Sequence, residues 1–144
     1  MLDTLIEHES VREVMSDTGL AQIGDSLVNL CYSIAKSSVL GHFVGEKVRD
    51  DVLARAIRSS PVYGEIGRRT DTGQAGDAYE AILAYVWLKG GTSIESVVGI
   101  LKQHLLIDSK TGRKQENNIA SEAFRRLLND LIAALPLSKR ESGQ

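Results

Sequence analysis

Cysteine is nearly absent from this chain. Cys31 is the only one, so no disulfide can form within it, and a reducing cytoplasm is the expected setting. Proline occurs twice, which leaves long stretches without the residue that breaks helices. β-Branched runs are few, whereas apolar residues return at a 3.6-residue spacing, so the expected fold class is all-α. No uncharged apolar stretch approaches the ~20 residues that span a bilayer. The first residues carry Asp3, Glu7 and Glu9 in place of a basic head and apolar run, so neither a signal peptide nor a membrane partner is expected. Positive charge is also in short supply: the formal net charge is -2, which does not advertise a nucleic-acid binder. There is no internal repeat, Gly-rich phosphate loop or Cys/His cluster with zinc spacing.

What is present fits one domain of 144 residues, expected over residues 1–137 with a frayed tail at 138–144. Residues 3–15 read as a short acidic helix with Leu5, Ile6, Val11 and Val14 inward. A second helix follows Asp17-Thr18-Gly19 and runs to about Ser37, with Leu20, Ile23, Leu27, Leu30 and Ile34 at helical spacing. Lys47 to Arg58 reads as a third helix, ended by Ser59-Ser60-Pro61. A short helix is expected near Val62 to Arg68. A polar loop through Gly76 then leads to an apolar helix headed by Asp77. Gly90-Gly91 stops that helix, Thr92-Ser93-Ile94-Glu95 opens the next, and after a loop from Asp108 to Asn118 the last helix spans Ile119 to about Leu135.

Two helices combine apolar surroundings with isolated acids. From Thr18 through Ala35, Asp25 is the only charged residue, and a buried carboxylate costs several kcal/mol unless it is paired, hydrogen-bonded or bound to a metal. Gly24 beside it permits close approach of another backbone or a ligand. In the stretch Asp77 to Leu88, Asp77 and Glu80 share one helix face ahead of an apolar run. Each acid also has a plain explanation: Asp77 and Glu80 as a capping box, and Asp25 as the cap of a helix restarting at Ser26. The sharper reading brings all three carboxylates to one point, where they hold a hard divalent cation. His8, His42 and His104 are scattered and read as structural or surface residues, as does Cys31 as a buried thiol.

Leu20-Ala21-Gln22-Ile23-Gly24-Asp25-Ser26 resembles the signature helix of the ribonuclease III endonuclease domain, an apolar-Gly-Asp-Ser/Ala step. Asp77-Ala78-Tyr79-Glu80-Ala81-Ile82-Leu83, with Tyr85 to Gly91 behind it, resembles that family's second acidic motif. The likeness covers about residues 18–91 and is nearest the compact form without a double-stranded-RNA-binding domain. Two departures stand out: Ala21 and Thr18 occupy positions where full-length members carry Glu.

The resemblance implies a ribonuclease III-like helical bundle acting as a metal-dependent endoribonuclease on double-stranded or structured RNA, as a homodimer. Asp25, Glu80 and Asp77 are then the catalytic acids and ligands of Mg2+ or Mn2+, with Glu46 as a fourth. The segment 36–69 carries seven cations against four acids. Its Lys47, Arg49, Arg55, Arg58, Arg68 and Arg69 are expected to track the RNA backbone, with ordinary solvated helix faces as the alternative. Two other functions compete: an inactive dimeric scaffold that keeps the fold and binds structured RNA, as Ala21 allows, and a helical nucleotide-phosphate hydrolase.

Overall fold

The structure, a computed structural model, describes residues 5–66 and 70–136. Within them the chain forms α1 (Val11–Met15), α2 (Thr18–Leu40), α3 (Asp50–Arg58), a 3-10 helix (Pro61–Ile66), α4 (Thr72–Leu88), α5 (Ile94–His104) and α6 (Arg113–Ile132), and no strand. The all-α bundle expected from the sequence is the fold observed. No helix among these residues is long and apolar enough to cross a membrane. Arg68, Arg69 and the tail at 138–144 lie outside the described residues.

The starts of α1, α2, α4 and α5 follow side-chain caps. Ser10 accepts from the Glu13 N–H, so α1 begins there rather than at residue 3. Asp17 caps α2 by accepting from the Leu20 N–H at 3.0 Å. Asp71 and Gln74 form a reciprocal capping box for α4. Gly41 and Gly90, both at φ 81, turn the chain out of α2 and just beyond α4.

α4 is the axis of the bundle. It packs against α1, α2, α3 and α6 and buries every residue from Ala78 to Val86, the pattern of a helix covered all round. Tyr79 places its ring edge on Phe124 and donates its hydroxyl to the Phe124 carbonyl at 2.6 Å, which satisfies the polar end of a fully buried side chain. α2 behaves differently. Leu20 and Leu27 enter the core, but Ile23, Leu30 and Ile34, expected beside them, are exposed along a separate face. The helix is apolar on two faces, and the described residues cover only one.

After Gly41 the chain doubles back along α2. The N–H groups of Val44, Glu46 and Val48 donate to Ser37 Oγ, Ser33 Oγ and Asn29 Oδ1 at 2.9, 2.9 and 2.7 Å. Two residues of extended chain advance roughly 6.6 Å, and four residues of helix advance roughly 6 Å. Alternate amides therefore meet polar side chains spaced four apart. This ladder holds residues 44–48 extended, and α3 starts at Asp50 instead of Lys47.

Candidate active site: a carboxylate cluster with one exposed counterion

Gly24 creates the site. A Cβ on Gly24 would overlap the Glu80 carbonyl group, so only glycine lets α2 and α4 cross here with their backbones in contact. The crossing sets Asp25, the next residue of α2, beside Glu80. Neither acid is a cap. Asp25 lies well inside α2 and Ser26 follows it in the same helix. Asp77 and Glu80 lie in the interior of α4, whose cap is Asp71. The capping explanations for these three residues therefore fail.

Glu80 is 4% exposed, and no cation, amide or hydroxyl among the described residues engages its carboxyl; its one partner is the Asp25 carboxyl. Burial, a hydrogen bond shared with Asp25 and the charges of Asp25, Asp77 and Asp50 push its pKa up to about 9. Asp77 is more open and is raised by burial and by the charges of Asp50, Asp71 and Asp25. Asp25 has a side chain 43% exposed; it accepts from Asn29 Nδ2 at 3.4 Å and meets the Lys47 ammonium at 3.5 Å. That ammonium, on a side chain 74% exposed, is the only cation in ion-pair contact with these acids among the described residues.

Glu46 does not join them. Its carboxylate is held by Lys36, at 2.8 Å, and by Arg113, and its backbone is fixed to Ser33. With the ladder delaying α3, the residue at the head of that helix is Asp50. The sequence pattern gave little warning of Asp50, which reads as one more charge on a mixed segment; the available signal was Gly76, where α4 packs in ordinary contact against the α3 head beside Asp77.

The expected RNA-contacting residues separate into groups. Lys47 and Arg49 line a groove of about 380 Å3 with Asp50, Asp51 and Thr72, adjoining the acids. Arg49 also pairs with Asp51. Arg55 reaches Asn118 of α6, and Arg58 donates to the Thr70 carbonyl, farther along α3. Of the histidines, His8 pairs with Asp17 at 2.8 Å and sets its ring against Tyr85, a structural role. Cys31 is buried, and burial pushes its thiol up to about 11, so it is inert as a nucleophile.

A hard divalent cation fits the donor set by chemistry: oxygen ligands only, one of them deeply buried, with the charges of Asp25 and Asp77 raising the proton affinity of Glu80. Among the described residues no three His, Cys, Asp or Glu side chains stand as a finished metal cage. The acids converge, but binding would have to draw them closer.

The Ribonuclease III family model matches residues 18–137, most of the chain, including both acidic helices and the whole of α6. No curated protein matches the chain.

Proposed function

The chain belongs to the ribonuclease III family, which supports an endoribonuclease-type activity, and from that premise we propose that it is a metal-dependent enzyme hydrolysing phosphodiesters in double-stranded or structured RNA. The observation that carries this is Glu80: a carboxylate 4% exposed, with no donor among the described residues, facing other acids. The protein alone keeps this carboxyl protonated, and a bound cation is what would favour its ionised form.

Asp25, Glu80 and Asp77 would hold Mg2+ or Mn2+. When bound, such a cation supplies charge for the phosphoryl oxygens and lowers the pKa of an attacking water. The chain does the rest. Gly24 fixes the spacing of Asp25 and Glu80 through backbone contact. Asn29 holds the orientation of Asp25. Lys47 and Arg49, at the edge of the acids, would meet a phosphate backbone, with Arg55 and Arg58 continuing along α3. A duplex read in this way is recognised by shape and backbone rather than by sequence. The single buried thiol suits a cytoplasmic setting.

The second apolar face of α2 supports a homodimer. Ile23, Leu30 and Ile34 are exposed, and Phe43 in the following loop is 98% exposed. Joined two-fold across this face, two chains would place their acidic clusters on one assembly.

The test is cleavage of duplex RNA in Mn2+, with sedimentation of the same samples. Wild type is expected to sediment as a dimer and to cut; Glu80→Gln should cut at least about a hundredfold more slowly while still binding duplex. A wild type that binds duplex and cuts none is a scaffold. Hydrolysis of nucleotide phosphates without RNA binding makes it a different helical hydrolase, and a monomer at micromolar concentration removes the dimer.

A further inference from the structure

Asp25, Asp77 and Glu80 come from two helices, α2 and α4, and leave the third side of the cluster to α3. That side is also occupied by an acid. Gly76, the residue before Asp77, lies so close to the head of α3 that a Cβ on it would stand 3.5 Å from the Asp50 carbonyl oxygen and 3.6 Å from Asp50 Cβ. The Asp50 carboxylate enters no hydrogen bond or ion pair among the described residues, whereas its neighbour Asp51 is engaged by Arg49 at 3.0 Å. Asp50 opens onto the groove of about 380 Å3 it shares with Lys47, Arg49 and Thr72. On the inner side, Glu80 is more than nine-tenths buried and has no donor among the described residues.

We propose that Asp50 is a fourth carboxylate of the cation site, held to the cluster by the Gly76 contact and binding the cation directly or through a water. This rests on the nuclease reading above and extends it to a residue outside the matching motifs. It also accounts for Ala21, where the resemblance leads one to expect a Glu. Ala21 is buried in the core, so that position supplies no oxygen, and the missing charge enters from α3. The competing explanation for an acid in the first turn of a helix is its attraction to the helix dipole, which affects stability and not metal affinity.

Calorimetric titration of the full chain with Mn2+ alone separates the two. Asp50→Asn is expected to weaken Mn2+ binding at least about tenfold, with an unchanged circular dichroism spectrum, and Asp51→Asn to stay within about twofold of wild type. Asp50→Ser, which retains a favourable helix-start side chain, should show the same loss and covers the case in which the Asn variant folds poorly. If both Asp50 variants bind Mn2+ as wild type does, the proposal is wrong and the nuclease reading stands. If wild type itself takes up no Mn2+, both fall together.

Discussion

At one end of the ladder along α2, Glu46 and Glu116 share the ammonium of Lys36, Arg113 closes over them from α6, and Tyr32 donates its hydroxyl to Glu116 at 2.6 Å. Eleven residues back on the same helix, roughly 16 Å away, Asp25 faces Glu80 and Asp77 with one exposed lysine for company. Both places bury carboxylates. In the first, burial would raise Glu46, but hydrogen bonds from Lys36 and Arg113 hold it below its ordinary value. In the second, nothing opposes burial, and Glu80 is driven far upward. A paired cluster of this kind joins helices. An acidic cluster left short of positive charge costs stability, and its persistence points to a cation that comes from outside the chain.

The largest effect should come from Gly24→Ala, which attacks the crossing that creates the unpaired cluster. The new methyl meets the Glu80 backbone, which cannot rotate away as a side chain can. The expected cost is more than about 3 kcal/mol in urea unfolding, together with loss of Mn2+ binding as α2 and α4 separate. Gly76→Ala is the internal control: its nearest neighbours stand at 3.5–3.6 Å, ordinary contact, so it should fold. If Gly24→Ala proves as stable as wild type, the close approach does not hold the site together.

Next in size is a pair of substitutions with opposite signs. Lys36→Met removes the cation shared by buried Glu116 and half-buried Glu46 and should destabilise the chain by about 3 kcal/mol. Glu80→Gln replaces a buried carboxyl that the fold must hold protonated with a neutral amide of the same shape, and the metal-free chain at neutral pH should be as stable as wild type or more so. Urea midpoints measured in the presence of a chelator decide this. Equal destabilisation by both would mean that Glu80 is ionised and paired with a cation of the protein, and the contrast between the clusters would disappear.

Much of this molecule was legible in its sequence. Periodicity showed an all-α chain, and the apolar run after Asp77 located its central helix. The acids stood out because each was isolated among apolar residues. Helix starts were harder, since Asp71-x-x-Gln74 and Asp77-x-x-Glu80 have the same spacing. The glycines at 73 and 76 read as a loop, although Gly76 is helical and serves packing against α3. Glu46 seemed to head a helix because Asn29, Ser33 and Ser37 look like incidental polar residues until the returning chain is in place. Nor can periodicity choose between two apolar faces of one helix, so Ile23, Leu30 and Ile34 were assigned to a core they do not enter.

The smallest effect concerns acid and the paired cluster alone. Glu46 is held below its ordinary pKa against the pull of burial, so it binds protons more weakly in the folded chain than in the unfolded one. Its contribution to stability is therefore complete above the unfolded value near 4.5 and is lost as pH falls through the folded value. Lys36 is shifted the other way, raised by Glu116 and Glu46 over the opposing effect of burial, and remains charged throughout this range. Arg113, Glu116 and the Tyr32 hydroxyl complete the groups around them. Subtracting the stability of Glu46→Gln from that of wild type at each pH isolates this one carboxylate. The difference should be about 1.5 kcal/mol at pH 6, the lower end for a hydrogen bond to a charged group, and should shrink toward zero below pH 4. A difference that stays constant across that range would show that Glu46 acts by packing and not by charge, and would leave Lys36 balanced by Glu116 alone.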